Sequence, residues 1–151
     1  MGARKFAGTA LLAPVAVATT LAEDVINTEE APAPVAPYSQ GVVAGDTVYL
    51  AGQVAIDPAT GAFRAGTVEE ETRQTLQNME AILQAQGLSL SNLVSVTVFM
   101  TDLDEYAAMN GAYRAFFPTR PPARATVEVA RLPLGAKIEI SGIAYRKTGA
   151  R

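Results

Sequence analysis

Two stretches of this chain carry apolar residues at helical spacing, and nearly every other patterned stretch reads as a β-strand. The first helical stripe is Val68, Thr72, Leu76, Met79, Ile82 and Leu83; the second is Tyr106, Met109, Tyr113, Phe116 and Phe117. Residues at these intervals share one side of an α-helix. Thr67 is placed to cap the first helix, and Glu69, Glu70 and Glu71 fill the first turn, where the helix dipole favours acids. Gly87 is its natural stop. The second helix is expected from Asp102 to Phe117, with Pro118 ending it.

The strands follow from alternation and β-branching. Tyr38 to Val43 leads through Ala44-Gly45-Asp46 into Thr47 to Gly52, a hairpin pattern. Asp57-Pro58-Ala59-Thr60-Gly61 is a turn. Leu93 to Met100 is a β-branched run, and Arg124 to Val129 and Lys137 to Tyr145 close the domain. The proline-rich stretch Glu29 to Pro37 reads as an extended approach. The order is β-β-β-α-β-α-β-β, an α+β single domain over residues 23–151 with two helices on one face of a sheet.

Two helices cover only one sheet face. Ala125, Val127, Val129, Ile138 and Ile140 are expected to meet them, and the strand period of two then sends Arg124, Thr126, Glu128, Glu139 and Ser141 to the other face. Such a mixed face fits a homo-oligomer that packs sheet faces around a polar cleft. It also fits a monomer with one solvated face.

Composition narrows the chemistry. The chain has 151 residues, one domain's worth, with Lys+Arg 12 against Asp+Glu 15, which gives no electrostatic reason to bind nucleic acid. It has no His and no Cys, which removes disulfides, thiol nucleophiles, histidine-based triads and the usual zinc ligands. Residues 1–22 differ from the rest: Arg4 and Lys5 precede an Ala-rich apolar run with small residues at Ala16, Ala18 and Ala22. This is the pattern of an export signal, which would put the mature chain in the periplasm; a disordered or organelle-targeting leader is the alternative, with a cytoplasmic location if nothing is exported. The run is short for a membrane span and Pro14 breaks it.

A set of segments, in order, resembles the reactive intermediate deaminase family, the RidA or YjgF-like proteins. They are Ala36-Pro37-Tyr38-Ser39-Gln40-Gly41, Leu50-Ala51-Gly52-Gln53-Val54, Asn78, Val98 to Leu103, Met109-Asn110, Tyr113 to Pro118, Pro122 to Pro133 and Lys137 to Ile140. The resemblance spans about Ile26 to Lys147. It implies a chorismate-mutase-like fold, a homotrimer with clefts between subunits, and no metal or cofactor. It also implies hydrolysis of 2-imino or enamine acids of the 2-aminoacrylate/2-iminopropanoate type to 2-keto acids and ammonia.

The resemblance also assigns roles. Arg124 matches the substrate-binding arginine, and a guanidinium suits a carboxylate because its donors form a fixed fork. Glu139 matches the glutamate that positions or activates water. Tyr38 matches a tyrosine that walls the cleft, Asn110 a helix asparagine beside it, and Gly52 a position where backbone passes close to ligand. Two positions depart from the family pattern: Ala51 stands where a serine is common, and Thr126 where a cysteine is common. A non-catalytic carboxylate-binding or chaperone-like trimer is the alternative function.

Overall fold

The computed structural model describes residues 24–146, so the leader lies outside the described residues. The elements are β1 (Asp24–Ile26), β2 (Gly41–Ala44), β3 (Thr47–Gln53), α1 (Val68–Gln84), β4 (Leu93–Met100), α2 (Tyr106–Arg114), β5 (Ala123–Glu128) and β6 (Ile138–Tyr145). The expected order therefore holds. The first leading strand is β1, a three-residue piece that no residue pattern had located.

α1 forms as its ends dictate. The Thr67 hydroxyl accepts from the Glu70 N–H and the Glu70 carboxylate accepts from the Thr67 N–H, a complete capping box. At the other end Leu88 N–H bonds the Leu83 carbonyl and Gly87 N–H bonds that of Gln84, with Gly87 at φ +67°, a Schellman stop. α2 is shorter than expected. A 3-10 turn at Leu103–Glu105 precedes it, with the Glu128 carboxylate accepting from the Leu103 N–H at 2.9 Å.

The sheet order is β1-β2-β3-β6-β4-β5, with β5 parallel to β4 and the other pairs antiparallel. α1 and α2 lie over one face. Leu76, Met79, Ile82, Met109, Ile138 and Ile140 are fully buried between helices and sheet. Each such side chain gains about 1.5–3 kcal/mol by leaving water.

Register corrects one expectation. Ile138 and Ile140 face the helices, and Glu139 and Ser141 the open face, as expected. On β5 the phase is inverted. Arg124, Thr126 and Glu128 pair with Val96, Val98 and Met100, all buried under the helices, so these three share the helix side. Ala125 and Val127 therefore lie on the open face, and Val127 is 40% exposed. Val129 sits just past the strand, its N–H bonded to the Met100 carbonyl. Alternation fixes the period of a strand and not its phase. β5 is an edge strand that extends beyond the packed core, so no burial requirement forced its apolar residues inward.

Three buried polar side chains brace the segments around the site. Gln40 Nε2 donates to the carbonyls of Thr28, Ala31 and Pro32, pinning the proline-rich approach. Asn78 Nδ2 donates to the carbonyls of Val54 and Ile56 just after β3. Glu71, from the first turn of α1, accepts from the Lys137 N–H at 2.8 Å, fixing the start of β6 two residues before Glu139.

Candidate functional site

The site residues fall into two groups on opposite faces of the sheet. The first is built on α2 and β5. Tyr106, Asn110 and Tyr113 recur at helical spacing on one side of α2 and meet Arg124. Arg124 Nη2 donates to Asn110 Oδ1 at 2.7 Å and to the Tyr106 hydroxyl at 3.1 Å. The guanidinium carbon lies 4.5 Å from the centroid of the Tyr113 ring, which is itself stacked on Phe117. Cation–π contact and two hydrogen bonds thus fix a long side chain in one orientation.

Electrostatics set this arginine apart. Among the described residues no carboxylate lies within ion-pair distance of it. Its Nη1 and Nε carry no hydrogen bond to those residues and remain as donors for an incoming anion. The Tyr106 phenol is held below its ordinary pKa by hydrogen bonds from Asn110 and Arg124, while burial pushes that of Tyr113 up to about 12. The Thr126 hydroxyl and the Tyr113 hydroxyl are buried without a hydrogen-bond partner among the described residues. Two clefts flank the guanidinium. One, of about 670 Å³, runs along Tyr113, Phe117, Pro121 and Pro122; the other, of about 420 Å³, lies between Leu103, Tyr106 and Thr126.

The second group surrounds Glu139. This residue pairs with Phe99 on the open face and is the one charged residue at a strand position of that face among the described residues. Its neighbours there include Ser141, Thr97 and Phe99. Burial raises its carboxyl above the ordinary glutamate value. Gly52 sits directly against it: a Cβ at Gly52 would lie 2.8 Å from the Glu139 carboxyl carbon. A register shift between Leu50 and Gln53 lets Ala51 and Gly52 make this approach. Ala51 N–H bonds the Gln40 carbonyl at 3.1 Å, which ties Tyr38, two residues earlier, to the same end of β3. The Tyr38 side chain is 47% exposed.

Arg124, Asn110 and Thr126 therefore come together, and so do Gly52, Ala51 and Glu139, but one copy of the chain does not join the two groups. The expectation that Arg124 and Glu139 share a face is corrected by the inverted phase of β5. Sequence reasoning also placed Tyr106 in the buried stripe. It is 41% exposed and serves Arg124. The signal was available: Tyr106 and Asn110 lie four apart, one helical turn, so whatever Asn110 faces Tyr106 faces too.

The two-helix α+β layer thus carries, at its edge, an arginine with no acid partner among the described residues and, on its open face, a half-desolvated glutamate. Residues 28–146 match the family model described as Endoribonuclease L-PSP. A 2-iminobutanoate/2-iminopropanoate deaminase of Salmonella typhimurium is 48% identical over 125 residues, covering 81% of this chain and 97% of that protein. A RutC family protein of Pyrococcus horikoshii is 46% identical, covering 83% and 99%. Among solved structures, that of E. coli TdcF with bound serine matches with a TM-score of 0.78 and 41% identity, covering 82% of this chain and 99% of that one. The chain belongs to the Endoribonuclease L-PSP family, that of the RidA and YjgF-like proteins.

Proposed function

We propose that this protein hydrolyses short-lived 2-imino acids, of the 2-aminoacrylate/2-iminopropanoate type, to 2-keto acids and ammonia, in a cleft shared between copies of a homotrimer. The observation that carries the reading is the fixed guanidinium of Arg124, held by Asn110, Tyr106 and Tyr113 with no acid partner among the described residues.

The reaction needs little machinery. Arg124 holds the substrate carboxylate by charge-assisted hydrogen bonds. Water adds to the imine carbon while the C=N nitrogen gains a proton, giving a tetrahedral aminoalcohol. Glu139 takes the proton that the water sheds on attack and hands it to nitrogen; it then carries the hydroxyl proton of the aminoalcohol to the amine, and ammonia leaves as the C=O bond forms. A carboxyl with a raised pKa suits both halves of that relay. Tyr38, Ala51, Gly52 and Thr126 would line the shared cleft, with Gly52 admitting Glu139 close to the backbone.

Oligomerisation is what joins the two groups. The open face, with Tyr49, Phe99, Val127 and Ile143 among small hydroxyl residues, supports packing against another copy. Such packing would bring one copy's Glu139 towards another's Arg124. The deaminase names of relatives support the reading. RNA cleavage, which the family description mentions, has less support, since this chain has net charge −3 and no His.

The alternative is a non-catalytic carboxylate binder using the same arginine; a relative's structure holds serine. One experiment separates them. An amino-acid oxidase generates the imine in the presence of this protein, and imine loss and ammonia release are followed. Accelerated loss that Arg124→Ala abolishes, with circular dichroism unchanged, supports the enzyme. Keto-acid binding without acceleration supports the binder.

A further inference from the structure

The larger cleft beside Arg124 is not accounted for by a three-carbon imino acid. Its volume, about 670 Å³, falls within the range of pockets that take drug-sized ligands. One side of it is apolar, with Phe117 stacked on the Tyr113 ring and Pro121 and Pro122 contributed by the segment leading into β5, while Asn110, Arg114 and Arg124 line the rest. Prolines carry no N–H, so Pro121 and Pro122 present no backbone donor that a ligand must satisfy. The carboxylate grip of Arg124 is at the rim. A ligand held there by its acid end has its α-substituent within reach of the cleft.

We infer that this cleft is the side-chain subsite of the substrate, and that the protein favours 2-imino acids with bulky apolar side chains, branched or aromatic, over 2-iminopropanoate. The inference rests on the carboxylate-holding role proposed for Arg124. Charge supports it by exclusion. The charged groups lining the cleft are both cations, Arg124 and Arg114, so the imino acids of basic amino acids would meet repulsion without a counter-charge. Arg114 is exposed, so its pull on an acidic side chain is weakened by solvent, whereas the apolar wall gains from every methylene it covers.

The test is a size series of stable product analogues, titrated by calorimetry against the full chain: pyruvate, 2-oxobutanoate, 4-methyl-2-oxopentanoate, phenylpyruvate and 2-oxoglutarate. Burial of one methylene is worth about fourfold in affinity. The expected result is a Kd for 4-methyl-2-oxopentanoate at least about tenfold below that for pyruvate, with Pro121→Trp, which fills the cleft, bringing the ratio towards unity. Equal or weaker binding of the branched acid by the wild-type chain overturns the inference, and so does tightest binding of 2-oxoglutarate, which would make Arg114 a second anchor. The oxidase-coupled assay with alanine and leucine as imine sources runs beside it. Turnover of the alanine imine without a size preference sinks the subsite and leaves the deaminase standing; a size-graded Kd with no turnover of either imine does the reverse.

Discussion

On the covered face of the sheet, Val96, Val98, Met100, Ile138 and Ile140 meet α1 and α2 and are shut away from water. On the open face the same strands show Ser95, Thr97, Phe99, Glu139 and Ser141, and nothing among the described residues of one copy closes over them. The first face is finished by intrachain packing, and Arg124 sits where that packing runs out at the edge strand. The second keeps a carboxylate half-desolvated among hydroxyl and aromatic side chains, with no basic partner among the described residues. The contrast teaches that the two groups proposed to act on substrate are organised by different means, one by helix contacts and the other by strand geometry and a glycine.

Mixing variants tests that division most severely. Arg124→Ala and Glu139→Gln should each lower turnover by about a hundredfold or more, given what a positioned charge or base contributes. Unfolded together in equal amounts and refolded, they should recover towards about one quarter of wild-type activity, because half of the arginines meet half of the glutamates across a shared interface. A mixture as inactive as its parents would place both groups in one subunit's site and end the shared-cleft model.

Disturbing one side should leave the other intact. Gly52→Ala must push the Glu139 carboxyl aside. Its kcat is expected to fall on the order of tenfold to a hundredfold, as for a misplaced catalytic group, with keto-acid affinity retained. If affinity collapses along with kcat, Gly52 serves the fold and not the carboxylate. Tyr106→Phe disturbs the opposite side, removing a hydrogen bond to a cation; it should weaken keto-acid binding by about threefold to tenfold while kcat stays near wild type.

The pH profile reads the open face alone. Burial holds the Glu139 carboxyl above 4.5, so its basic form is lost at a higher pH than for a solvated glutamate. Turnover should therefore decline on the acid side before 4.5 is reached, and Glu139→Gln should remove that limb. For stability the sign is opposite: a raised carboxyl pKa means that ionised Glu139 costs the fold something at neutral pH, and the cost fades as pH falls through the raised value. The smallest effect belongs to a control far from both groups. Thr67→Ala breaks the α1 capping box and should cost about 1 kcal/mol in urea unfolding, with turnover per folded molecule unchanged.

Much of the fold was legible in the sequence because its signals are local. Thr67, the three acids and Gly87 mark α1 at both ends, and a helix stripe carries its own phase. β5 was misread because alternation gives two equal choices, and only the partner strand decides between them. The Tyr106 error has a related cause: an aromatic residue at helical spacing reads as core until the strand beside it turns out to present an arginine. β1 is three residues long and too short to show any period. Of the candidate site, Arg124, Asn110, Gly52 and Glu139 were found by resemblance. Their separation across the sheet was hidden, because it depends on that strand's phase.

The sparsely charged outer surface of the sheet has a consequence for how output would scale with abundance. Under the proposed sharing of the cleft, a dilute solution holds folded but silent molecules, and specific activity climbs with protein concentration until assembly is complete. Cells could then tune the removal of a reactive metabolite more steeply than in proportion to the amount of protein made.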